Sequence, residues 1–275
     1  MNNRSGLLTK YIHGKSNLEQ ERLVVLNQLL NQRCLDRLHL EGHENILDVG
    51  CGLGIFSRMM ASHLTSGRVV GIEQEWEQID KGKKLAFGDL ADSLDTRQGS
   101  AFDLPLETNE WNTFDLGFVR FLLEHLSNPG KVVRQVYDAL RPGGKLVLID
   151  DDHANFRIVP RQSAFDRLWE AYISVYQSKG NDPFVGRNLT TLLNQSGFIQ
   201  LKIDFVLFGA TADQLDFIHY VNNLKTILSE AAELMKSIYR TGHNVHDDLE
   251  ALQGWSRLPD ATIWYVANWA EGRKP

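Results

Sequence analysis

Short apolar runs and glycine-rich breaks alternate along this chain in the rhythm of buried strands and amphipathic helices. Ile46-Leu47-Asp48-Val49 is a nearly continuous apolar run that leads straight into Gly50-Cys51-Gly52-Leu53-Gly54, the signature of a central strand ending in a tight turn. Arg68 to Glu73 predicts a second strand closing on a carboxylate, followed by a helix from about Glu75 to Phe87. The run from Phe114 to Leu126 predicts a fourth strand and the loop beyond it. Pro129 to Leu140 carries Val132, Val133, Val136 and Leu140 at helical spacing, and Arg141-Pro142-Gly143-Gly144 then stops the helix and reverses the chain into a strand over Lys145–Asp150. Further strands are expected at about Phe198–Phe208 and within Asp260–Trp269. The alternation is that of an α/β fold built on a mostly parallel sheet.

Two helical additions frame this core. Leu23, Leu26, Leu30, Cys34 and Leu38 recur at helical spacing and predict an amphipathic cap over one end of the sheet. In the segment 213–240, Phe217, Val221, Leu224, Leu228, Ala231, Met235 and Ile238 alternate steps of four and three, a heptad seam. Such a seam serves either a lid helix seated on its own chain, the more ordinary use, or a homodimer. Trp169, Tyr172 and Tyr176, three and four residues apart, share one helical face that either lines a pocket or fills the core.

The glycine turn carries the strongest chemical signal. Glycine adopts positive φ cheaply and leaves backbone N–H groups bare for a carboxylate, ribose or phosphate at the carboxyl end of the strand. A dinucleotide site requires G-x-G-x-x-G, whereas this turn reads Gly50-x-Gly52-x-Gly54, which disfavours a nicotinamide dehydrogenase.

The string from Ile46 to Gly54 resembles the first motif of class I S-adenosylmethionine-dependent methyltransferases, and Leu140-Arg141-Pro142-Gly143-Gly144-Lys145 resembles a second one. The resemblance extends from about Tyr11 to Pro275 and is nearest to small-molecule enzymes with the ubiquinone/menaquinone-type domain, natural-product enzymes included. It implies a Rossmann-like methyltransferase fold: a seven-stranded, mostly parallel sheet with helices on both faces, a helical cap and a helical lid. The whole chain, 1–275, is then a single domain, with the cap at 1–45, the cofactor core at 46–206, the lid at 207–258, and the last strand and tail at 259–275. The implied cofactor is S-adenosyl-L-methionine, leaving as S-adenosyl-L-homocysteine.

Residue by residue, the resemblance assigns Asp48, Gly50, Gly52 and Gly54 to the first cofactor motif. Glu73, with Gln74 beside it, takes the ribose hydroxyls unless it is merely a solvated acid near a helix start. Asp103 receives the adenine amino group, with Ala101 and Phe102 flanking the ring, although Phe102 also reads as a core aromatic. Arg120 holds a carboxylate of the cofactor or of the acceptor, and Tyr11 reaches the cofactor from the cap. A sulfonium activates its own methyl, so a base matters only for a poorly ionised acceptor. His125, just past the fourth strand, is the candidate, against the alternative of a histidine that caps a helix or satisfies a carbonyl. Asp150-Asp151-Asp152-His153 offers oxygen ligands for magnesium, but consecutive residues of an extended chain point to opposite sides. Solvated acids capping the next helix are the preferred reading, and no metal is expected.

Composition narrows the partners. A net charge of −6 without a basic block argues against nucleic acid, and no run approaches a membrane span. Two cysteines, Cys34 and Cys51, in no pairing motif, and an amino terminus without a signal pattern suggest a reducing, cytoplasmic setting, with Cys51 a small filler of the turn. The chain lacks Asn-Pro-Pro-Tyr and Asp-Pro-Pro-Tyr strings and a Pro-Cys nucleophile, which disfavours nucleobases and protein glutamine, and the resemblance implies oxygen, nitrogen or carbon of a small organic molecule as acceptor. The alternative is a cofactor-binding partner or regulatory subunit without transferase activity of its own.

Overall fold

The computed structural model describes residues 30–85, 93–239 and 241–275. β1 (Asn45–Val49) pairs in parallel with β2 (Arg68–Glu73) on one side and β4 (Phe114–Arg120) on the other, and β3 (Leu94–Gln98) extends the β2 edge. β5 (Leu140–Asp151) continues the parallel set beyond β4. β8 (Thr262–Arg273) then runs antiparallel, pairing β5 and the short β6 (Arg157–Val159) along one edge and β7 (Ile199–Thr211) along the other. The predicted seven strands are present, and β6 makes an eighth.

Helices cover both faces because the central strands are apolar in both directions. Ile46, Val69, Phe118 and Val147 belong to the core on one face, with Phe56 and Met60 of α1 (Ile55–Ser62). Leu47, Val70, Val119 and Leu148 belong to the other, under α3 (Pro129–Ala139) and α5 (Leu189–Gln195). α2 (Trp76–Lys84) follows β2 and buries Ile79. Asn128 caps α3 by accepting from Lys131 N, and Pro129 occupies its first turn.

The Pro-Gly-Gly turn differs from its expected form. β5 begins at Leu140 opposite Phe114, and the extra residues are absorbed as a register shift before Leu116 meets Lys145. A Cβ on Gly144 would stand 3.0 Å from Phe114 O and 2.9 Å from Arg141 O, so the kink accepts only glycine.

Residues 30–38 are helical and bury Leu30, Cys34 and Leu38 in the first core, whereas Leu23, Leu26 and Tyr11 lie outside the described residues. The insertion folds as α6 (Phe217–Lys236) and α7 (Val245–Trp255), both packed on α4 (Ser163–Ser178). The seam residues Phe217, Val221, Leu224, Leu228, Ala231 and Met235 all enter this chain's own core, while Ile238 is 44% exposed. The heptad is the inner face of a lid. Arg167 of α4 locks α7 in place through a two-pronged ion pair with Asp248, at 2.7 and 2.5 Å, and Tyr239 donates to the same carboxylate.

Candidate active site

A cavity of about 310 Å³ opens at the carboxyl ends of β1, β2, β4 and β5 and runs under α4 and α6. Its first half is the glycine turn. Gly50, Gly52 and Gly54 have φ of 80°, 57° and 67°, a left-handed sequence that side chains resist. Gly50 N and Cys51 N both donate to Ile72 O, at 2.8 and 3.1 Å, which folds the turn back onto β2. A Cβ on Gly52 would meet only Gln78 Oε1, at 3.2 Å, so the cavity wall here is bare peptide.

Two acids border that wall. Glu73 accepts from Gly52 N at 3.0 Å and Glu75 N at 2.9 Å, and its burial raises its pKa above the ordinary carboxylate value despite these bonds. Asp48 accepts a hydrogen bond from Ser57 Oγ at 2.5 Å, and burial pushes its pKa up to about 6. Cys51 is likewise held as the thiol by burial, consistent with a filler rather than a nucleophile. Arg120 lies over the Phe56 ring at 4.6 Å and donates to Asn31 Oδ1 at 2.9 Å.

The second half lies beyond β4. The chain turns at Phe121, φ 52°, into a 3₁₀ turn over Leu123–His125. Asp150, fully buried, accepts from Leu123 N at 2.8 Å and so pins that turn, while burial and nearby Glu124 raise its pKa well above the usual range. The pinned turn presents Glu124 and His125 to the cavity. Glu124 Oε2 lies 2.9 Å from His153 Nε2, and Glu124 Oε1 lies 3.4 Å from His125 Nε2. Taking the buried carboxylate as the acceptor assigns the proton to His153 Nε2, and burial lowers the pKa of the ring.

The acidic run divides as alternation requires. Asp151 and His153 face the cavity, Asp150 pins the turn, and Asp152 is tied to Arg187 at 2.8 and 2.6 Å while capping Ala154 N. Only Asp152 caps, and three of the four side chains are buried, so the expectation of a solvated acidic loop is corrected: the run sits on a strand end roofed by α4. Glu124, Asp151 and His153 bring three candidate ligand atoms within 4.8 Å of one another. Tyr265 of β8 donates to Asp151. Trp169, Tyr172 and Tyr176 both line the cavity and belong to the core.

Of the residues singled out from sequence, Asp48, Gly50, Gly52, Glu73, Gln74, Arg120 and His125 line this one cavity. Gly54, Ala101, Phe102 and Asp103 do not. Gly54 serves the turn instead, its amide bonding Cys51 O at 2.9 Å as α1 begins. Ala101 to Asp103 form a tight turn closed by Asp103 N on Ser100 O, with Phe102 facing Lys131 at 5.8 Å. Tyr11 lies outside the described residues. Sequence reasoning missed Glu124, Tyr265, and Asn223 and Ile227 of α6 as cavity residues. Asn223, a half-buried polar residue one step from the seam, was the available signal on that helix.

Comparison with known proteins agrees with this geometry. Residues 47–148 match the methyltransferase domain family. The chain is 24% identical over 201 residues to a demethylmenaquinone methyltransferase of Lactiplantibacillus plantarum, covering 66% of this chain and 81% of the relative. Its fold matches a Bacillus halodurans protein provisionally described as a methyltransferase, with a TM-score of 0.60 at 17% identity over 89% of this chain and 98% of the other. It also matches a Haemonchus contortus phosphoethanolamine N-methyltransferase solved with S-adenosylhomocysteine, with a TM-score of 0.50 at 18% identity, covering 93% of this chain and 52% of that one. Residues 47–148 thus carry a methyltransferase domain, set on this sheet with its glycine turn at the cavity, and the chain is an S-adenosylmethionine-dependent methyltransferase.

Proposed function

We propose that the chain transfers a methyl group to oxygen, nitrogen or carbon of a small organic acceptor held in the deep half of the cavity. The observation that carries this reading is the continuity of one cavity from the bare peptides of Gly50 and Gly52 to His125. When bound, S-adenosylmethionine supplies a methyl already activated by its sulfonium. The glycine turn receives the amino acid portion, Asp48 attracts its ammonium, and Arg120 is placed for a carboxylate. Glu73, with Gln74, takes the ribose. Asp103, with Ala101 and Phe102, receives the adenine from the loop after β3, which Gly99 N ties to Glu73 O at 2.9 Å. Tyr11, outside the described residues, is a further cofactor contact of this reading.

His125, beside Glu124 and stacked on Tyr176 at 5.8 Å, takes up the acceptor's proton, directly or by way of Glu124, where one must leave. α4 and α6 exclude water from the transfer. Among the described residues, a homodimer through 213–240 is left the exposed Leu215, Ile218, Leu234 and Ile238, because the seam up to Met235 is spent inside. No described helix is long and apolar enough to cross a membrane, and with two free cysteines we place the protein in the cytoplasm. Calorimetry with S-adenosylmethionine and S-adenosylhomocysteine tests the core of the reading: micromolar binding is expected, and the absence of both heat and thermal shift with either compound overturns it.

A further inference from the structure

The deep half of the cavity has a chemical bias that the methyl-transfer reading does not use. Glu124 and Asp151 bring two carboxylates to it, and His153 adds an imidazole whose Nε2 proton is committed to Glu124. The other ring nitrogen, Nδ1, is buried without a hydrogen-bond partner and therefore keeps a lone pair in reserve. These three groups accept hydrogen bonds.

Around them stand the rings of Trp169, Tyr172 and Tyr176, with centroids 5.3, 5.7 and 5.0 Å from the His153 ring. Phe156 and Tyr265 continue the same wall, 5.6 Å apart. Aromatic faces attract cations, and a buried carboxylate attracts them more strongly than at a water-exposed surface. Among the described residues, Arg120 is the arginine of this cavity, and it lies over Phe56, donates to Asn31 and acts on Asp48.

The geometry points to an amine as the acceptor, bound as its ammonium between Glu124, Asp151 and the aromatic wall and methylated on nitrogen. The inference rests on the transferase reading and names its substrate class. An ammonium answers acceptor groups with several N–H donors and a charge, whereas a carboxylate or phosphate is repelled and an alcohol brings one donor. The group transfer balances as follows. The ammonium gives one proton to Glu124, the freed nitrogen pair bonds the methyl carbon, and the carbon–sulfur bond breaks with its pair left on sulfur. The product is a methylated ammonium and a neutral thioether, and the proton on Glu124 leaves to water by way of His125.

Matched probe series test this on the full chain saturated with S-adenosylhomocysteine. Tyramine is compared by calorimetry with 2-(4-hydroxyphenyl)ethanol and 3-(4-hydroxyphenyl)propionate, and tryptamine with its alcohol and its propionate. With S-adenosylmethionine, turnover is read by mass spectrometry of the methylated product. Both amines are expected to bind about tenfold or more tightly than their partners and to gain the methyl on nitrogen. The double variant Glu124→Gln with Asp151→Asn is expected to erase that preference while S-adenosylhomocysteine binds as before, which also shows that it is folded. Alcohols or carboxylates that equal the amines, or amines that fail to bind at millimolar concentration while S-adenosylhomocysteine binds, overturn the amine assignment and leave the transferase reading standing. Loss of S-adenosylhomocysteine binding by the unaltered chain defeats the transferase reading itself. Stoichiometric Mn²⁺ binding that abolishes amine binding and is lost in the double variant also overturns it, because the cluster is then a metal site.

Discussion

Asp48 shows how one buried side chain sets function against stability. Its pKa of about 6 stands above the ordinary aspartate value of 3.8, so its contribution to folding is greatest below the unfolded pKa and is lost as pH rises through about 6. At neutral pH the unliganded protein therefore carries a buried carboxylate at a cost, and Asp48→Asn is expected to stabilise it by roughly 1–2 kcal/mol in urea unfolding. The same change should weaken S-adenosylhomocysteine, whose affinity in the unaltered protein should fall as pH drops below about 6 and in the variant fall less, Glu73 remaining as a titrating group. Glu110 has the opposite sign. Arg97 holds it, with Arg68 beside it, and its pKa falls to about 2, so its stabilisation is present above the ordinary value of 4.5 and disappears as pH falls through about 2. Glu110→Gln should cost roughly 1–3 kcal/mol at neutral pH and little in strong acid. Glu73→Ala should weaken S-adenosylhomocysteine by about 1.5–3 kcal/mol for each charged hydrogen bond lost, as read by calorimetry.

Among the elements, α6 is the one whose sequence pattern admitted two uses. A seam of steps four and three suits a partner helix as well as a core, and the choice depends on whether α4 and α7 lie close enough to fill it. They do, and Leu224 and Leu228 are fully buried against them. Leu228→Ala is expected to cost about 2–5 kcal/mol in thermal or urea unfolding, with the mass in solution by light scattering unchanged. A shift of mass with little loss of stability sinks the lid assignment. The turn after β4 was legible only as a location. Its register depends on Asp150 reaching across from β5 to Leu123 N, a contact between residues 27 apart in the chain, which no local pattern encodes.

At the scale of the molecule, cofactor binding and folding are linked, since a ligand that binds only the native state stabilises it by about 2.7 kcal/mol at a hundred times its Kd. Saturating S-adenosylhomocysteine should therefore raise the melting temperature by several degrees in a calorimetric scan. The mostly parallel sheet and its glycine turn were readable from the chain because they rest on local chemistry, whereas the order of the strands was not. Apolar runs make strands buried on both faces, three left-handed positions demand glycine, and Pro129 opens a helix. The acceptor end was not readable in the same way. Glu124 from the turn after β4, Asp151 and His153 from β5 and its end, Tyr265 from β8, and the aromatics of α4 become neighbours only when the sheet closes and the lid seats on it. The neutral bias of His153 follows from its burial, which depends on that packing. Backbone conformation is encoded residue by residue, while a cavity is a property of surfaces brought together from distant parts of the chain.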